Sequence, residues 1–221
     1  MSTVVVAIKA GKVCIAADSL TSFGDLKLSS KYDAAHDKIL RHDENYLGIV
    51  GSAAHQLVLE SVFASKGIID KEAVDKKNVD KKIEIDLSSR ISIFESFRAL
   101  HPLLKENYFL NAKDEDDDPY ESTQIDALIA NPFGIFGIHS LREVTQYKKF
   151  WAIGSGAEYA LGAMFAVYDK AATAKEIAHV GVAAGAEFNN ASSMPLSSYV
   201  IALQNPKSSR KKTSKTKSKK K

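Results

Sequence analysis

The chain opens MSTVVVAIKAGKVCIAADS, and this stretch constrains the fold more than any other. Val4, Val5, Val6 and Ile8 form a β-branched run, Ala10-Gly11 supplies a turn, and Val13 to Ala17 reads as a returning strand that ends in Asp18. Chain termini fray unless something ties them down. A hairpin that starts at once pins the first residues in a sheet, with a hydroxyl residue, Ser2, directly behind Met1.

Beyond the hairpin, residues 19–37 read as a long polar loop. Lys38 to Arg41 begins a third strand, His42 to Asn45 turns, and Tyr46 to Val50 returns as a fourth strand that stops at Gly51-Ser52. Ser52 is an N-cap for a helix with Ala54, Leu57, Val58, Ser61 and Val62 on one face, expected to end near Gly67. Residues 68–85 are charged and weakly patterned. Ile91, Phe94, Phe97 and Leu104 predict a second helix, interrupted or kinked near Pro102.

The second half is again rich in strands. Ile125 to Ala130, Ile135 to His139 and Val144 to Ile153 read as strands, with a turn over residues 131–134 and a stop at Gly154-Ser155-Gly156. Helical patterns over 157–170 and 174–188 precede a last strand near Ser197 to Leu203. Strands, two helices, strands, two helices and a strand is not the alternation of a doubly wound sheet. It predicts an α+β fold: a four-layer αββα sandwich of two antiparallel sheets flanked by helices.

Charge divides the chain in two. Residues 206–221 carry nine Lys or Arg and no acid, and the preceding 205 residues carry 21 basic against 27 acidic side chains. The expected organisation is one domain over residues 2–205 and a disordered Lys-rich tail over 206–221, which has no apolar side chain beyond Pro206 to bury. The tail, residues 207–221, reads either as a solubilising extension or as an arm for nucleic acid or an anionic surface acting through counterion release. It lacks the interleaved aromatics of a single-strand binding surface, which favours the first reading. No apolar run is long enough to span a bilayer and no secretory leader is apparent, so the expected compartment is the cytoplasm. The single cysteine, Cys14, reads as a small buried hydrophobe.

Several usual signals fail. There is no phosphate loop, no H-E-x-x-H and no cysteine-histidine spacing for zinc. The acidic stretch Asp114 to Asp118 is no calcium loop, because Pro119 stands where glycine is needed and Ile125 where a bidentate glutamate is needed. Gly154-Ser155-Gly156 completes neither a nucleophile elbow nor a dinucleotide loop.

One ordered set holds: Ser2, Asp18, Lys38 and Gly51. Singly, Asp18 fits a turn cap, Lys38 a surface residue at a strand start, and Gly51 a relief of crowding before a helix. Lys31 is a rival for the lysine position, but it sits in the polar loop. Together with A-A-D-S, K-I, G-S-A-A and W-A-I-G-S-G-A-E-Y-A-L-G-A, they give the chain, from residue 2 to about 203, a pattern that resembles the proteasome β-subunit-type N-terminal nucleophile hydrolases. Within that family it is most similar to the β-proteobacterial proteasome homologue, then to the HslV peptidase.

The resemblance implies a peptidase subunit of a homo-oligomeric double ring that cleaves peptide or unfolded protein substrates, with no metal or organic cofactor. The family's peptidases depend on a separate ring ATPase unfoldase for folded substrates. Loss of Met1 would leave Ser2 with both a hydroxyl and a free α-amine. An α-amine has a reference pKa of about 7.7–8.0 and can accept the hydroxyl proton. The resemblance places Lys38 beneath the hydroxyl, Asp18 against the lysine, the Gly51 N–H toward the oxyanion, and Ser155 beside the terminal amine. It also shows two departures. Ser2 replaces the common threonine and loses its χ1 restriction, and Asn189 falls where the family carries an acid near the terminal amine. A small-amide amidase, or a catalytically weak ring used as a scaffold, stays open as the other reading.

Overall fold

The first strand, β1 (Val4–Lys9), is buried on both faces, and its alternation sets the layers of the molecule. Val4 and Val6 point to one side and Val5 and Ala7 to the other, as the period-two geometry of a strand requires. The computed structural model describes residues 2–64, 83–112 and 118–204. The Lys-rich tail, the end of the first helix near Gly67 and most of the acidic stretch from Asp114 lie outside the described residues.

β1 pairs antiparallel with β2 (Lys12–Asp18), so that Val4 faces Ala17 and Lys9 faces Lys12 across the turn at Ala10-Gly11. The residues between Asp18 and the next sheet form a small separate hairpin, β3 (Thr21–Phe23) and β4 (Leu26–Leu28). β5 (Ile39–His42) and β6 (Asn45–Val50) lead into helix α1 (Ala53–Ala64), and α2 (Arg90–Asn107) follows. After them come β7 (Asp126–Asn131), β8 (Gly134–Ile138), β9 (Val144–Tyr147) and β10 (Phe150–Ile153), then α3 (Ala157–Val167), α4 (Ala174–Phe188) and β11 (Leu196–Ala202). One sheet runs β10-β1-β2-β11 and the other β5-β6-β7-β8-β9, and every pairing is antiparallel.

Three apolar clusters are the three seams of this four-layer stack. Val4, Val6 and Ile15 from one sheet meet Leu128, Ala130 and Ile135 from the other. The outward face of β1 and β2, including Val5 and Cys14, packs on Met164 of α3 and on Ile177 and Val182 of α4. Ile49, Ile129 and Phe136 of the second sheet pack on Phe63 of α1 and on Ile93, Phe97 and Leu100 of α2. This is the expected αββα sandwich. Cys14 lies in the second seam, where burial pushes its thiol up to about 12 and keeps it an inert packing group.

Four local expectations need correction. Residues 19–37 are not all loop, because Thr21–Phe23 and Leu26–Leu28 pair; three-residue strands carry too little alternation to register. Val144 to Ile153 divides between the two sheets, since β9 pairs with β8 while β10 pairs with β1. Helix α1 buries Leu59, Val62 and Phe63 and leaves Leu57 67% exposed, a rotation from the expected face. Helix α2 runs through Pro102 uninterrupted and buries Ile93, Phe97, Leu100 and Leu104 while Ile91 and Phe94 stay exposed. Ser52 does cap α1, its hydroxyl accepting from the Ala54 N–H at 3.3 Å. Among the described residues no helix is long and apolar enough to cross a membrane.

Gly48 of β6 shows how tightly the sheets meet. A Cβ there would collide with Val4 Cγ1 and come within 3.3 Å of Ile15 Cδ1. Gly162 on α3, by contrast, has open space around it. Gly48→Ala is expected to lower unfolding stability by about 1–3 kcal/mol through overpacking. Gly162→Ala is expected to raise it by about 0.5–1 kcal/mol. Urea unfolding of both variants against the parent checks this, and equal effects would contradict the seam.

Candidate active site

The start of β1 and the end of β2 are joined through Asp18. Its backbone N–H donates to the Thr3 carbonyl at 3.1 Å, and its Oδ1 accepts from the Thr3 N–H at 2.9 Å. The same Oδ1 accepts from Lys38 Nζ at 2.8 Å, while Oδ2 accepts from the N–H groups of Leu20 at 3.0 Å and Ser193 at 3.1 Å. The carboxylate is fully buried, and each of its four donors comes from a different segment of the chain. A buried carboxylate is tolerable only when paired and hydrogen-bonded in this way.

Lys38 stands just before β5 and is 12% exposed. Burial pushes its ammonium below the usual lysine value, and the Asp18 charge and hydrogen bond oppose that shift only in part. Gly51 follows β6 at φ 101°, a backbone conformation that glycine adopts without strain. Its N–H meets no partner among the described residues, so it is available as a donor. Ser2, Lys38 and Gly51 line one cleft of about 570 Å³. Lys31, by contrast, is exposed with its ammonium over the Tyr32 ring, and it is Lys38, not Lys31, that reaches Asp18.

The Ser2 side of the cleft is fixed by residues after β10. The Gly156 N–H donates to the Ser2 carbonyl at 3.3 Å, and a Cβ on Gly154 would collide with that carbonyl oxygen. Ser155, between them, is exposed and donates from Oγ to Asn189 Oδ1 at 3.0 Å. Asn189 Nδ2 donates back to the Ser155 carbonyl at 3.0 Å, and its Oδ1 also accepts from the Ala191 N–H. An aspartate in its place would keep the acceptor bonds but set a carboxylate against the Ser155 carbonyl. Thus the five residues anticipated from the sequence, Ser2 among them, come together in one region. Three line the cleft, Asp18 lies sealed beneath Lys38, and Ser155 stands on the turn that grips the Ser2 carbonyl.

Sequence reasoning missed the residues that hold this frame. Thr3 is fully buried, with Oγ1 2.7 Å from Ser192 Oγ, and a Cβ on Gly156 or Gly185 would strike that hydroxyl. Asp37, beside Lys38, accepts the Tyr199 hydroxyl and the Ile39 N–H, and its carbonyl accepts Gln56 Nε2 at 3.0 Å. No spacing rule flags these contacts, because their partners lie up to 189 residues apart. Among the described residues no group of His, Cys, Asp and Glu side chains is placed to hold a metal ion.

Two antiparallel sheets between helix pairs, with the first residue of β1's lead-in at the base of a cleft, define the proteasome-type N-terminal nucleophile hydrolase fold. Two solved structures of BPH from Thiobacillus denitrificans, the bacterial proteasome homologue, are each 40% identical to this chain. One, a complex with epoxomicin, has a TM-score of 0.76 and covers 92% of this chain and 100% of its own. The other has a TM-score of 0.77 and covers 91% and 98%. HslV from Trypanosoma brucei shares the fold at 18% identity, with a TM-score of 0.59 and 90% and 99% coverage. No protein-family model and no curated protein matches the chain. The chain belongs to the bacterial proteasome homologue family, among the proteasome-type peptidases.

Removing the Asp18 charge exposes the balance at Lys38. Asp18→Asn is expected to cost about 3 kcal/mol of stability, since one member of a buried ion pair is lost. Lys38 should titrate below 10.5 in the parent and lower still in the variant. The folded chain then releases this proton before the unfolded chain does. The charging cost is fully present below the folded value, and stability from this group rises with pH between that value and 10.5. Carbon-13 NMR of labelled lysines checks the order; a Lys38 value at or above 10.5 contradicts it.

Proposed function

We propose that this chain is a peptidase subunit whose nucleophile is Ser2, freed by removal of Met1. The observation that carries the reading is the convergence of Ser2, Lys38 and the unpartnered Gly51 N–H on one cleft, over a Lys38–Asp18 ion pair. The complex of the Thiobacillus denitrificans relative with epoxomicin supports it.

The chemistry follows from that geometry. The Ser2 α-amine takes the Oγ proton, directly or through water, as Oγ attacks the carbonyl carbon of a peptide bond. The Lys38 ammonium favours negative charge on Oγ, and Asp18 holds that ammonium in place. The carbonyl π electrons move onto oxygen, toward the Gly51 N–H; such a donor contributes about 3 kcal/mol in hydrolases generally. Collapse expels the amine half of the substrate, which takes the proton back from the α-ammonium and leaves an ester on Ser2. Water, deprotonated by the same amine, then releases the acid half and restores the hydroxyl. Asn189 bonds Ser155 without supplying a negative charge beside the terminal amine, so turnover is slow.

The active form is a homo-oligomeric double ring enclosing these sites. Exposed aromatic side chains on the outer helix layer support this: Phe165 is 79% and Phe188 68% exposed, with Tyr159 and Phe188 in ring contact. Such a ring can receive chains unfolded by a separate ATPase.

Hydrolysis of a fluorogenic peptide panel by the untagged chain tests the assignment. Ser2→Ala is expected to abolish turnover, and Ser2→Thr to raise it by up to about tenfold, because the added methyl restricts χ1 and aims the hydroxyl. Undiminished turnover in Ser2→Ala overturns the assignment.

A further inference from the structure

The cleft beside Ser2 carries more charge than the chemistry uses. Asp33, Asp37 and Glu60 line it together with Lys38 and His36. Lys38 is matched by Asp18, whereas none of the three cleft carboxylates has an ion-pair partner among the described residues. Asp37 is engaged by the Tyr199 hydroxyl and the Ile39 N–H. Asp33 Oδ1 accepts the Ala35 N–H at 2.9 Å and Glu60 Oε1 accepts Gln56 Nε2 at 3.0 Å, and among the described residues Asp33 Oδ2 and Glu60 Oε2 meet no donor. Asp33 and Glu60 are both half-buried, with part of each side chain in contact with solvent.

The remaining walls are apolar. Leu20 and Ile49 are almost fully buried behind the cleft, and Leu57 and Phe23, 67% and 63% exposed, stand at its rim. A cleft with aliphatic sides and unpaired carboxylates fits a long side chain with an apolar stem and a cationic head. An acidic side chain would meet like charge there, which acts as selection against it. A purely aliphatic one would leave the carboxylates to water and gain only the walls.

Resting on the reading of Ser2 as nucleophile, we propose that this cleft selects peptides with lysine or arginine next to the bond to be cut, and that Asp33 and Glu60 recognise the cationic head.

The test separates charge recognition from chemistry. Three peptide carboxamides, identical except for arginine, citrulline or leucine as the last residue, compete with a labelled peptide for the full chain at low salt, read by fluorescence anisotropy. Citrulline has the shape of arginine without its charge. The arginine peptide is expected to bind about tenfold more tightly than the citrulline peptide, an advantage that fades in high salt. Glu60→Gln and Asp33→Asn should each reduce that ratio several-fold, and together bring it close to one. Equal binding of arginine and citrulline, or a ratio that survives both substitutions, overturns the proposal. Peptide hydrolysis measured in parallel keeps the two readings apart. An arginine preference in binding without hydrolysis would sink the nucleophile and leave the pocket assignment standing.

Discussion

Everything at the centre of this molecule depends on one buried carboxylate. Asp18 collects the Thr3, Leu20 and Ser193 N–H groups and the Lys38 ammonium on its two oxygens, all within 2.8–3.1 Å. A charge removed from water is destabilising by several kcal/mol, and four donors offset that cost only while each stays in place. The lead-in to β1, the end of β2, the approach to β5 and the turn before β11 are therefore held to one point. The interaction that keeps the fold closed also places a desolvated lysine under the cleft.

Close backbone approach is the second constraint. Gly154 admits the Ser2 carbonyl, Gly156 and Gly185 admit the Thr3 hydroxyl, and Gly48 admits Val4. Side chains at any of these positions would push the first residues of the chain out of the sandwich. The pinned terminus thus comes from two sources, a charged hub on one side and missing side chains on the other.

How much of this was legible in the sequence follows from range. Strands such as Val4–Lys9 carry enough β-branched residues to declare themselves, and Asp18, Lys38 and Gly51 stand at element ends, where an ordered pattern can be recognised. Ser155 and Asn189 were anticipated near the same site and are in contact. Contacts such as Thr3 with Ser192, or Asp37 with Tyr199, join residues more than 150 positions apart and follow no spacing rule. Local propensity also misjudged the packed face of α1, because tertiary burial of Phe63 and Leu59 decides its rotation. The short β3–β4 hairpin escaped for the opposite reason, since three residues hold too little pattern.

The central claim is that Ser2, buried just ahead of β1, becomes a nucleophile once Met1 is removed. Intact-mass measurement of the untagged full chain, before and after incubation with epoxomicin, tests it most directly. The account predicts loss of Met1 and a single adduct that maps to Ser2, formed through its hydroxyl and its adjacent free amine. A retained Met1, or a processed terminus that stays unmodified, would contradict it.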